Sequence, residues 1–108
     1  MGAVAAAPDM ATFARLVKRR FRLHLAGEAT AEVELIELRQ GPMQHGYEQF
    51  SLVFSAPAGA PPEQRIYTLD HPDAGTFDLF LVPVGRTEEA LLLEAVINRR
   101  IEPASGGD

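Results

Sequence analysis

The apolar positions change their period once, near residue 21. Before it, Met10, Phe13, Leu16 and Val17 recur three and four residues apart, which places them on one face of a helix. Asp9, following Pro8, is a suitable N-cap, and Lys18, Arg19 and Arg20 suit the negative end of the helix dipole. An amphipathic helix of about three turns is therefore predicted over residues 9–20. From Phe21 the period is two. Phe21, Leu23 and Leu25, then Val33 and Leu35, read as a hairpin with one apolar face, turning around Gly27. After Leu35 the phase slips to Ile36 and Leu38, the mark of a bulge. Phe50, Leu52 and Phe54 alternate cleanly, and 66–70, 76–84 and 91–101 supply three more strands. Glycines and a proline punctuate 40–49, while the Pro/Ala/Gly-rich segment 56–65 is long for a hairpin connection and is predicted to be a mobile loop.

Six strands with short connections and one helix at the start predict a mainly β fold. The expected form is an antiparallel meander closing into a small barrel or folding into a sandwich, because strong twist and unpaired edges both favour closure. The helix would cover an open end or an outer face. The expected organisation is a flexible leader at 1–8, a single domain at 9–101 and a flexible tail at 102–108.

The segment HPDAGTFDLFLVPVG (71–85) does not fit a half-wet strand. Its first five residues are turn chemistry: Pro72 fixes a corner, Asp73 bonds nearby backbone and Gly75 admits positive φ. Beyond them Phe77, Leu79 and Leu81 face one way, yet Phe80, Val82 and Val84 face the other. The following strand behaves alike, with Leu92 and Val96 opposing Leu91, Leu93, Ala95 and Ile97. One face fills a core, and the second needs a cover. The predicted cover is the amino-terminal helix, leaving a strip for another protein or a second copy. Phe80, Val82, Val84, Leu92 and Val96 are accordingly the expected partner interface. Pro83 has no N–H to give a ladder, so the strand is expected to be at an edge there or to have ended.

Composition narrows the chemistry. A chain of 108 residues with 46% hydrophobic content suits one domain with its own core. The net charge of −5 argues against nucleic acid or an anionic membrane as the main partner. There is no cysteine, so thiolate chemistry and disulfides are excluded. No apolar run is long enough to span a bilayer, and MGAVAAAP lacks the charged start of a signal peptide, so the expected location is cytoplasmic, with export inside an assembly still open.

His24, His45 and His71 lie far apart with no metal-binding spacing, and no cofactor or metal is expected. Asp78 and Glu94 interrupt apolar strands and are the best candidates for acid–base work. Cross-strand pairing, for example Asp78 with Arg99, accounts for them more simply. No serine sits in a nucleophile elbow and no glycine motif cradles phosphate. The basic run KRRFR (18–22) could grip a phosphate, but the helix end explains most of it.

YEQFSLVFSAP, YTLDHPDAGTFDLFLVPVG and EAVINR, in that order within 47–99, resemble a small uncharacterised bacterial domain family. Its pattern is FSLxF, YxLxHPxxG, FxLFLVPVG and YEAVxN, and this chain departs from it at Leu93, where the family usually has an aromatic residue. The resemblance covers about half the chain closely. Its members are often encoded near phage-tail-collar-like proteins, which implies assembly duty and transfers no catalytic residue. The expected function is a non-enzymatic interaction or assembly module. A barrel binding an apolar ligand is the alternative, and an enzyme the third reading.

Overall fold

The computed structural model describes residues 7–42, 46–60 and 62–100. One short helix, α1 (Met10–Arg15), precedes six strands: β1 (Arg20–His24), β2 (Thr30–Gln40), β3 (Tyr47–Pro57), β4 (Arg65–His71), β5 (Gly75–Arg86) and β6 (Ala90–Arg100). All pairings are antiparallel and the sheet closes into a barrel in the order β1-β2-β3-β6-β5-β4. The expected barrel is there, but it is not a meander.

Strand length explains the order. β3 runs beside β6 over eleven consecutive positions, from Tyr47 opposite Arg100 to Pro57 opposite Ala90. Next to β3, the seven-residue β4 would have left several strong backbone donors and acceptors unpaired. Long strands lie beside long ones, and the two short strands, β1 and β4, meet at the closing seam. The last four strands thereby form a Greek key. Crossing from β3 to β4 over the mouth spans three strand spacings, ~14 Å, a distance that seven residues reach comfortably. The connection is 58–64, not 56–65: Ala56 is buried within β3, and Ala60, whose N–H bonds the Pro57 carbonyl at 2.9 Å, packs against the core. Its length reflects a crossing, where a hairpin would need only a turn.

The anticipated phase slip is a bulge, the β2–β3 register shifting between Leu35 and Glu37. A second shift falls between Pro83 and Gly85 on β5. β4 accompanies β5 only as far as Leu81, opposite Arg65, so at Pro83 the strand has β6 alone beside it and stands at an edge towards β4, as its missing N–H requires, while continuing to Arg86. Gly75, at φ 81°, supplies the left-handed residue that the 71–75 turn requires.

The helix is shorter than its apolar spacing predicts. The Asp9 side chain caps it by accepting from the Thr12 N–H at 3.0 Å, and helical geometry stops at Leu16. The Lys18 N–H bonds the Leu35 carbonyl at 2.6 Å, which draws the chain off its helical path into β1. Nor does the helix lie over the outer face of β5–β6. Phe13, fully buried, meets Phe21, Phe50 and Phe77 at ring-centroid distances of 6.5, 6.1 and 5.6 Å, so α1 plugs one end of the barrel. Inside, Phe21 stands edge-on to Phe54 and Phe77, and inward leucines fill the remaining space; no buried polar or charged residue occurs among the described residues. Residues 1–6 of the expected leader, Ile101 at the end of the expected domain and the whole expected tail, 102–108, lie outside the described residues, and Ala7 packs against the core.

Candidate functional site

With α1 committed to the barrel end, nothing in the described chain covers the outer wall of β4–β5–β6. Phe80, Val84 and Val96 stay more than half exposed, while Val82 and Leu92 are half-buried. The alternation in β4 adds a residue that the sequence reading missed. Tyr67 and Leu69 point inward, so Ile66 points out, opposite Phe80, and is 63% exposed. Reading IYTLD for its outward positions would have found it. The β5–β6 register ends at Val82 opposite Glu94, and Phe80 and Val96 each lie two residues past that pair, so Ile66, Phe80 and Val96 are exposed apolar residues on three successive strands of one wall. Beyond Val96 a shallow groove of ≈ 280 Å³ continues past Ser51 and Gln49 towards Arg39.

The opposite wall differs in kind. On β1–β2, Arg20 stands opposite Glu34 and Arg22 opposite Glu32, a ladder of alternating charges suited to water. On the apolar wall the charges near these residues are Asp78 and Glu94. The Thr68 hydroxyl donates to Asp78 at 2.7 Å, which replaces the expected Asp78–Arg99 pair. β4 is a nearer neighbour of Asp78 than the end of β6 that carries Arg99. Glu94 has Arg39 nearby, whose guanidinium is held above its usual pKa chiefly by its 2.6 Å bond to Glu37 and slightly by Glu94. Asp78 and Glu94 sit on a convex wall about four residues apart in register, roughly 13 Å, and do not face each other across a cleft.

His71 belongs to its turn: its Nδ1 accepts from the Asp73 N–H at 2.9 Å and its ring lies 4.9 Å from that of Phe21. His24 reaches a neighbouring strand. Its Nε2 lies 2.7 Å from Asp70 Oδ2, joining β1 to β4 across the seam. The two residues are 46 apart in sequence, and only the closure of the barrel brings them together. His45 lies outside the described residues. Among the described residues no three His, Asp or Glu side chains converge on a metal-sized site. No described helix is long and apolar enough to cross a membrane.

Comparison with known proteins places the chain in a family. It belongs to the one described as Domain of unknown function (DUF6916), which matches residues 8–97, from just before the Asp9 cap to nearly the end of β6. No curated protein and no solved structure gives a significant match.

Proposed function

We propose that this member of a family of unknown function is a non-enzymatic interaction module. It docks a partner protein on the outer wall of β4–β5–β6, as an accessory or structural part of a phage-tail-like or surface-fibre assembly. The observation that carries the reading is the uncovered set Ile66, Phe80 and Val96, extended by Val84. Together these side chains leave roughly 300–400 Å² of apolar surface in water, worth about 8–10 kcal/mol on burial before the costs of association. A closed barrel offers few free strand edges for pairing, so recognition falls to a face. Asp78 and Glu94 beside these residues favour a partner whose apolar ridge carries cations. The interior favours no ligand, because Phe13, Phe21, Phe50, Phe54 and Phe77 occupy it.

The test is comparative. Tagged Phe80→Asp and Val96→Asp, with Arg22→Asp on the opposite wall as control, are expressed in the native host and their co-purifying proteins quantified by mass spectrometry. Both wall variants, shown folded by circular dichroism, are expected to lose at least tenfold of the proteins that wild type and control retain. Equal recovery by all four overturns the docking wall. Partners that are metabolic enzymes rather than tail or fibre components overturn the finer assignment.

A further inference from the structure

The early end of α1 leaves the basic run without its expected explanation. Helical geometry stops before Lys18, Arg19 and Arg20, so of the run's neighbours only Arg15 serves the helix terminus. Arg15, Lys18, Arg19, Arg20 and Arg22 are half of the ten cations in a chain of net charge −5. All five are exposed, and among the described residues only Arg20 reaches a carboxylate, Glu32, at 3.4 Å.

Strand directions place these charges. β1, β3 and β5 leave the plugged end, where α1, residues 16–20 and the 71–75 turn gather; β2, β4 and β6 start from the other. The plugged end therefore carries Arg15, Lys18, Arg19 and Arg20, with Arg39 and Arg99 on the ends of β2 and β6, against Asp9 and Asp73, with Glu37 and Glu48 on β2 and β3. The Glu37–Arg39 pair cancels internally, and the cationic excess sits on residues 15–20. The open end, made of 25–29, 58–64 and 86–90, carries Glu28, Glu63, Glu88 and Glu89 against Arg65 and Arg86. The twelve residues of β5 put ~30 Å between the ends after barrel tilt. That is several Debye lengths at ordinary salt (~8–10 Å), so neither pole neutralises the other.

We infer that the chain associates head to tail, the cationic plugged end of one copy seating on the acidic open end of the next. Each end is a mixed pattern, an excess of one sign interspersed with charges of the other. The cleft beside α1 shows it, lined by Arg15 and Arg19 but also by Asp73. A nucleic acid or an anionic bilayer would meet the Asp9 and Asp73 carboxylates as well as the arginines. The open end of a second copy meets them with Arg65 and Arg86. Such a contact is heterologous, so it builds a ring if its rotation closes and a filament if not. It uses neither Ile66, Phe80 nor Val96, so it stands apart from the docking wall.

Sedimentation velocity at 20 and 300 mM salt tests it with two doubly reversed variants, Lys18→Glu/Arg19→Glu and Glu88→Lys/Glu89→Lys, at residues that make no ion pair among those described. Wild type is expected to self-associate at low salt, with the association constant falling about tenfold or more at high salt. Each variant alone should stay monomeric, and an equimolar mixture should associate again, because one intact acidic end then meets one intact cationic end. Phe80→Asp should associate like wild type. A monomeric wild type and mixture, or variants that associate unaided, overturn the inference. Loss of self-association in Phe80→Asp assigns it to the wall instead. Tight binding of a DNA duplex or of phosphatidylglycerol vesicles to wild type, without association of the mixture, means the cationic end serves a different occupant.

Discussion

At the residue scale, the best-defined interaction of the amino-terminal segment is the Asp9 cap. The Thr12 N–H, with its hydroxyl, holds the Asp9 carboxyl below its usual pKa, assisted by Arg99 and Arg15. A carboxyl depressed in the folded state stabilises it at any pH above the unfolded value, and that contribution disappears as pH falls through the lower, folded value. Asp9→Ala is expected to cost about 1 kcal/mol in urea denaturation at pH 7. The penalty should shrink as pH falls below the ordinary aspartate value, while Asp9→Asn, which still accepts the bond, stays near wild type at pH 7. A penalty unchanged from pH 7 to pH 2.5 would refute the charged cap. Asp9, Pro72 and Gly75 were legible in the chain because their roles are local. The bond between His24 and Asp70 was not, because it exists only once β1 and β4 meet.

At the element scale, α1 matters through one side chain. Six residues are too few for a stable helix alone, so it forms because burying Phe13 among Phe21, Phe50 and Phe77 holds it in place. Phe13→Ala should cost about 3–5 kcal/mol, as truncation of a fully buried aromatic does. It should also expose the α1 amides to hydrogen exchange well below the global unfolding energy. Phe13→Leu should recover much of both, and a cost under about 1 kcal/mol would show that α1 is not the plug. Apolar spacing found the helical face but overran its end, since Val17 continues the period while the Lys18–Leu35 bond pulls the backbone away. The same kind of signal located the Leu35 bulge. Pro83 was legible as well: a proline asks for an edge, and β5 has by then lost its β4 neighbour and pairs with β6 alone.

At the scale of the whole molecule, alternation in each strand sets which residues point inward, and so the core was legible. The neighbour of each strand was not, because the choice between β4 and β6 beside β3 depends on matching strand lengths around a closed circuit. Length matching also makes the barrel uneven. β3 and β6 share eleven register positions, whereas β1 and β4 share two, Arg22 with Asp70 and Leu23 with Leu69. The His24–Asp70 contact supplements that seam, yet both side chains are about a third exposed, so water screens it. Local opening needs fewest broken bonds there, and the amides of β1 and β4 should exchange through sub-global opening while those of β3 and β6 exchange only on global unfolding. Asp70→Ala removes the acceptor and should speed exchange at Arg22 and Leu23 by several-fold, leaving β3–β6 rates shifted only by any change in global stability. Native-state hydrogen exchange followed by NMR resolves each of these amides. Uniform protection around the circuit would mean the seam is as strong as the long ladder, with the packed interior rather than the register count deciding where the barrel opens.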